Sequence, residues 1–187
     1  MERKIVYFDK PGRDNSEEVF RIAKSRAEEL GIKNVVVATT GGGTAARAAE
    51  VLEGLKVIAV SHVTGMKEVN TQEFTEENRQ KLESKGGAVV TAAHALAGVD
   101  RAIRRKFSTI TMVEIVAQTL RIFGAGVKVV CEISLMAADA GLVRTDEEII
   151  AIGGTSRGAD TAVVLTPVNS KDFFDIKINE ILCKPRL

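Results

Sequence analysis

Asn34-Val35-Val36-Val37-Ala38-Thr39-Thr40-Gly41-Gly42-Gly43-Thr44-Ala45-Ala46 is the stretch whose reading decides the fold. Its opening is β-branched, apolar on successive residues and too short for a helix, the signature of a strand buried on both faces. A Gly/Thr loop follows, then an alanine-rich helix from Ala45 to about Leu52. Lys56-Val57-Ile58-Ala59-Val60 repeats the buried-strand pattern. Strand, Gly-rich turn, helix and strand in this order make a βαβ unit, whose crossover is right-handed in nearly all proteins.

The rest of the chain extends this unit outward. On the N-terminal side, Ile5 to Phe8 reads as a strand ended by Asp9-Lys10-Pro11-Gly12. Asn15 or Ser16 offers an N-cap for a helix whose apolar residues Val19, Ile22, Ala23, Ala27 and Leu30 recur at helical spacing, with Gly31 as its C-cap. Beyond the unit, Thr75 to Gly86 predicts a polar peripheral helix and Ala88 to Thr91 a short strand. His94 to Phe107 reads as a loop with a short helix, and Thr111 to Phe123 as a firm one. Val127 to Gly141 is ambiguous: Val127-Lys128-Val129-Val130 suits a strand, but the helix formers from Cys131 to Ala140 favour a buried helix. Glu148 to Ile152 is a strand, and Asp160 to Thr166 pairs with Ile176 to Leu182 as a long antiparallel hairpin. The expected architecture is one three-layer α/β domain over residues 1–187, a mostly parallel sheet flanked by helices with a C-terminal hairpin.

Composition excludes several classes of function. Aromatics are 4% of the chain and Trp is absent, too few for a platform that stacks single-stranded nucleic acid. Lys and Arg number 26 against 25 Asp and Glu, so no broad field draws the protein to nucleic acid or to an anionic membrane. Two distant cysteines, Cys131 and Cys183, form neither a disulfide framework nor a metal-ligand spacing. No apolar run approaches the roughly 18 residues of a membrane span, and the opening MERKIVYFDK carries no secretory apolar core. The expected location is cytoplasmic.

Two loops of similar design carry the chemistry. In the first, Thr39, Thr40, Gly41, Gly42, Gly43 and Thr44 join a buried strand to a helix start, where unpaired amides and hydroxyls suit phosphate oxygens. A tight structural turn is the bland alternative; on a strand-to-helix turn the triple glycine is expected to serve no packing purpose, which favours the ligand reading. The loop lacks the Lys of a Walker A motif, and no acidic residue ends the next strand to hold a ribose. The second loop comprises Gly153, Gly154, Thr155, Ser156, Arg157, Gly158, Ala159, Asp160 and Thr161, with Arg157 a candidate phosphate clamp. If the strands before the two loops are parallel, both loops reach the carboxyl edge of the sheet and share one ligand; otherwise the second is only a connection. The turn holding Thr64 and Gly65 would reach the same edge. His62 and His94 each follow a strand and are candidates for proton transfer, though backbone-bonded loop histidines explain them equally. Glu114 and Glu132 lie among apolar helical residues, either paired across helices or facing solvent. Arg101 to Lys106 is the one basic cluster, read as a solvated helix face or an anionic contact.

At the first loop the sequence resembles the C-terminal α/β domain of pyruvate kinase, whose strand–loop–helix typically reads T-x-S-G-x-T-A-R. Thr39, Gly42, Thr44 and Ala45 match; Gly41 stands for the Ser, Ala46 for the Arg, and Arg47 comes one position late. Lys56 to Ser61 resembles the family's next strand, and Glu148 to Leu165, with its G-x-x-x-x-G-A-D-T-A turn, its last Gly/Thr loop and strand. The chain also looks like stand-alone archaeal-type proteins built from this domain alone. That resemblance implies a regulatory or ligand-binding role, with flavin mononucleotide or a sugar phosphate at the Gly/Thr loops, and possible homo-oligomers. The TIM barrel that houses pyruvate kinase chemistry takes about 250 residues, more than this sequence holds, so a complete pyruvate kinase is not expected. A flavin- or phosphate-dependent enzyme using His62 or His94 is the alternative.

Overall fold

The computed structural model describes residues 2–186. Seven strands and six α-helices follow in the order β1 (Val6–Phe8), α1 (Ser16–Leu30), β2 (Asn34–Ala38), α2 (Gly43–Val51), β3 (Lys56–Val60), α3 (Glu76–Glu83), β4 (Ala88–Val90), α4 (Gly98–Phe107), α5 (Met112–Arg121), α6 (Ala125–Asp139), β5 (Ile149–Gly153), β6 (Thr161–Thr166) and β7 (Lys177–Pro185). The strands form one sheet in the order β1-β7-β6-β5-β2-β3-β4. The block β5-β2-β3-β4 is parallel, and β6 and β7 add antiparallel to it, with β1 parallel to β7 at the far edge.

Alternation along the strands makes two cores from one sheet. Val35, Val37, Val57, Ala59, Ile150 and Ile152 project to the face covered by α1 and α2. Val36, Ile58, Ala151 and Val163 project to the other, covered by α6. Strands clothed on both faces need the near-continuous apolar runs seen in β2, β3 and β5.

Val127 to Gly141 is helical: α6 buries Val130, Cys131, Ile133 and Leu135 through Ala138. Its Val-rich start is the first turn of this helix, with Val127 and Val130 buried. His94 to Phe107 holds more helix than expected, since α4 runs ten residues from Gly98. Thr111 and Thr75 cap α5 and α3, each hydroxyl accepting from the amide three residues on, at 3.3 Å. Asn15 does not cap α1 by its side chain; its amide donates back to the carbonyls of Lys10 and Gly12.

The topology also fixes where loops gather. From β2 the chain crosses over α2 to β3 and β4, moving one way along the sheet. It returns through α4, α5 and α6 on the opposite face to β5, on the other side of β2. Strand order therefore reverses between β2 and β5, the kind of crevice where open α/β sheets hold ligands.

Candidate functional site

The two Gly/Thr loops leave the carboxyl ends of β2 and β5, which pair in parallel with Val37 opposite Ile152. They therefore flank the crevice from either side. Turns after β3 and β4 reach the same edge, bringing His62, Thr64, Gly65 and His94 to it.

The first loop is internally braced. The Thr39 hydroxyl, nearly buried, accepts from the Gly42 amide at 3.1 Å. The Gly41 carbonyl accepts from the Asn78 side-chain amide at 2.8 Å and from the Thr75 amide at 3.3 Å. Gly42 has φ +91°, and a Cβ there would lie 2.6 Å from the Asn78 Cβ and 2.7 Å from the Phe74 ring. The triple glycine thus has a packing purpose after all: the segment leading into α3 lies on it. Gly43 is exposed, while Thr40, Gly41 and Thr44 are half-buried. The amides of Gly43, Thr44 and Ala45 form the first turn of α2, ahead of the first helical acceptor, the Gly42 carbonyl that takes the Ala46 amide. That end of the helix is positive, with no acidic residue in its first turn.

The second loop is held from beneath. Asp160 is fully buried; its Oδ2 accepts from the Gly12 and Thr155 amides, both at 3.0 Å, and its Oδ1 from the Thr161 hydroxyl at 2.8 Å. Ser16 accepts from the Ala159 amide at 2.9 Å. Gly158 has φ +78° and lies against Arg13, where a Cβ would come within 2.5 Å of backbone. Asp160 and Thr161 thus have no surface to offer a ligand; they support the loop, a correction to their reading as a ligand wall. Gly153 is likewise buried at the strand end, against Val129 and the Gly126 carbonyl. Gly154 is half-buried, and Thr155 and Arg157 are exposed above it.

Thr64 and Gly65 are exposed in a turn closed by the Gly65 amide donating to Thr71, 2.9 Å. His62 is half-buried, with Nδ1 2.9 Å from the Glu73 carboxylate, whose other oxygen pairs with Lys67 at 2.5 Å. Lys67 first and His62 second hold the Glu73 carboxyl below its usual range. The His94 ring centroid lies 5.5 Å from that of His62, and its Nε2 accepts from the Val63 amide at 3.3 Å. That bond places the proton of neutral His94 on Nδ1. Burial pushes the His94 pKa down, against an opposing pull from Glu132.

Glu132 is buried and pairs with Lys128 one turn back on its own helix, at 2.5 Å, while its other oxygen accepts from the Leu96 amide. Glu114 does reach across helices, 3.8 Å from Arg104. Among the described residues, no three His, Cys, Asp or Glu gather as a metal site, and no helix is long and apolar enough to cross a membrane.

At this edge, the groups that would meet the phosphate of a flavin mononucleotide are the amides and the Thr44 hydroxyl at the start of α2.

A strand-order reversal flanked by two Gly/Thr loops places the chain among open α/β folds. Residues 17–165 match the pyruvate kinase alpha/beta domain family, to which this chain belongs. Among solved structures it is similar to a Cryptosporidium parvum pyruvate kinase, at 10% identity and TM-score 0.39 over 82% of this chain and 23% of that one. The same organism's enzyme with ADP gives 11% identity and TM-score 0.36, over 80% of this chain and 22% of that one. An NH3-dependent NAD synthetase from Campylobacter jejuni, in complex with nitrate ion, gives 14% and 0.37, over 73% and 54%. The chain spans under a quarter of the length of the pyruvate kinases it matches.

Proposed function

We propose that this chain is a binding domain for a phosphate-bearing small molecule. Gly43 and Thr44 at the start of α2 would hold the phosphate, and Thr155 and Arg157 would close over it. The observation that carries the reading is the juxtaposition of two braced Gly/Thr loops on neighbouring parallel strands, either side of the reversal in strand order. Both loops are held in shape by protein hydrogen bonds, so the donors at the start of α2 are set before any ligand arrives. Preorganised donors need no ordering on binding.

Flavin mononucleotide and a sugar phosphate are the two ligands this reading admits. Titrating each, with riboflavin as the phosphate-free partner of the first, tests it: the phosphate class is supported if riboflavin binds far more weakly. Equal binding of riboflavin and flavin mononucleotide rejects a phosphate-directed site.

A second reading, an enzyme that moves a proton through His62, is favoured by its contact with Glu73. A carboxylate on Nδ1 fixes the orientation and tautomer of an imidazole. Substrate turnover lost in His62→Gln, with ligand affinity kept, distinguishes it from binding alone.

A further inference from the structure

The helices α4, α5 and α6 enclose a cavity of about 280 Å³ lined by Arg101, Arg104, Arg121, Lys128, His94 and Glu114. The Gly/Thr loops contribute nothing to its wall. Its arginines converge in one concave space. Arg3, Arg21, Arg26, Arg47, Arg79 and Arg144 each have a carboxylate within 4 Å. In the cavity, Arg104 has only Glu114 at 3.8 Å, and Lys128 is matched by Glu132. Arg121 has no carboxylate within that distance among the described residues, and neither has Arg101, whose polar contact is the Met66 sulfur at 2.8 Å. A thioether is a weak acceptor for a guanidinium. Arg13, Arg105, Arg157 and Arg186 also lack a carboxylate within 4 Å among the described residues, but they do not line the cavity.

We propose that this cavity is a binding site for a small phosphate-type oxyanion, held by Arg101, Arg121 and Lys128. Two guanidinium groups without carboxylates leave a surplus of positive charge in a concave space, and a planar fork matches phosphate oxygens two at a time. Lys128 is buried and spends one of its three donors on Glu132, so it brings further N–H groups from the cavity floor. Asp100 and Glu114 also line the wall and offset part of that positive charge, so the anion must sit on the side of Arg101, Arg121 and Lys128. The site stands independently of the phosphate reading of the Gly/Thr loops.

Calorimetric titration with inorganic phosphate at fixed ionic strength tests it, on the wild-type chain and on Arg101→Gln/Arg121→Gln, Arg105→Gln and Thr44→Val. The double variant should lose one bound phosphate per chain, or weaken that phosphate at least tenfold, with an unchanged circular dichroism spectrum. Arg105→Gln, outside the cavity, should keep it. Thr44→Val should also keep it, whatever happens at the loop. Should the double variant fold poorly, Arg121→Gln alone, on an exposed side chain, should weaken the same phosphate. The site is rejected if wild type shows no saturable phosphate, if the arginine variants bind as wild type, or if Arg105→Gln loses as much. If only Thr44→Val loses phosphate, the cavity proposal falls and the loop reading stands. If only the arginine variants lose it, the reverse holds.

Discussion

Replacing Gly42 by alanine adds one methyl group at the most constrained point of the first loop. Two costs follow from the geometry. The residue has φ +91°, and a left-handed backbone costs a non-glycine residue roughly 1–2 kcal/mol. The new Cβ would also stand 2.6 Å from the Asn78 Cβ and 2.7 Å from the Phe74 ring, and overpacking of this kind costs roughly 1–3 kcal/mol. Phe74 is nearly buried in the α1–α2 core, so it has little room to swing away. Together these give about 2–5 kcal/mol of destabilisation. Gly43→Ala is the internal control. Its backbone is not left-handed, its Cβ would approach nothing nearer than the Asn78 Nδ2 at 4.0 Å, and it lies within α2. Alanine there should be neutral or stabilising by about 0.5–1 kcal/mol. Urea unfolding followed by circular dichroism measures both. A Gly42→Ala loss below about 1 kcal/mol, or equal losses at the two glycines, would refute the argument that α3 docks on this residue.

Three further outcomes follow from buried groups. Asp160→Ala strips acceptors from the Gly12 and Thr155 amides, and should cost about 2–4 kcal/mol and open the 154–159 loop to proteolysis; a loop as resistant as in wild type would contradict this. Burial lowers the His94 pKa, so the unfolded chain takes up that proton first as pH falls, near the ordinary histidine range. The contribution of His94 to stability is therefore present above that range and lost as pH falls toward its folded-state pKa. His94→Gln should flatten the fall in urea midpoint between about pH 7 and 5, and an unchanged slope would contradict it. Cys131 and Cys183 are buried, their thiols pushed up to about 11 and about 12; both should react with a maleimide only after unfolding, and rapid labelling of the native chain would count against the packing.

The βαβ unit was legible because its signals are local. The run Val35 to Val37 and its repeat at Val57 to Val60 are buried strands by composition alone, and Gly31 ends α1 with φ +71° as a C-cap glycine should. The reversal of strand order was half legible: two loops of one design suggested a shared edge, but only pairing of β2 with β5 makes them neighbours. The use of Gly42 was not legible, since Phe74 and Asn78 lie more than thirty residues away and nothing in the loop itself announces them. Asp160 misled for a related reason. A polar residue in a Gly-rich loop reads as a ligand contact, yet its partner amides on Gly12 and Thr155 consume it. Likewise, the cluster Arg101 to Lys106 reads as either a solvated face or an anionic contact, because its place beside Arg121 and Lys128 arises only when three helices pack.

The phosphate-binding reading meets its most direct test at Thr44. Its hydroxyl sits in the first turn of α2 beside the open amides, half-buried and without a protein partner among the described residues. Valine keeps its shape and removes the oxygen. A hydrogen bond to a charged group is worth about 1.5–3 kcal/mol, so Thr44→Val should weaken a phosphorylated ligand tenfold or more, about 1.4 kcal/mol at the least. The measurement is an equilibrium titration of wild type and Thr44→Val with flavin mononucleotide, riboflavin and a hexose bisphosphate, each variant first shown to unfold at the wild-type urea midpoint. The account predicts that at least one phosphorylated ligand binds wild type well, that riboflavin binds it far more weakly, and that Thr44→Val loses the phosphorylated ligand. Wild type that binds neither phosphorylated ligand, or a Thr44→Val chain that binds them as tightly as wild type, would contradict it.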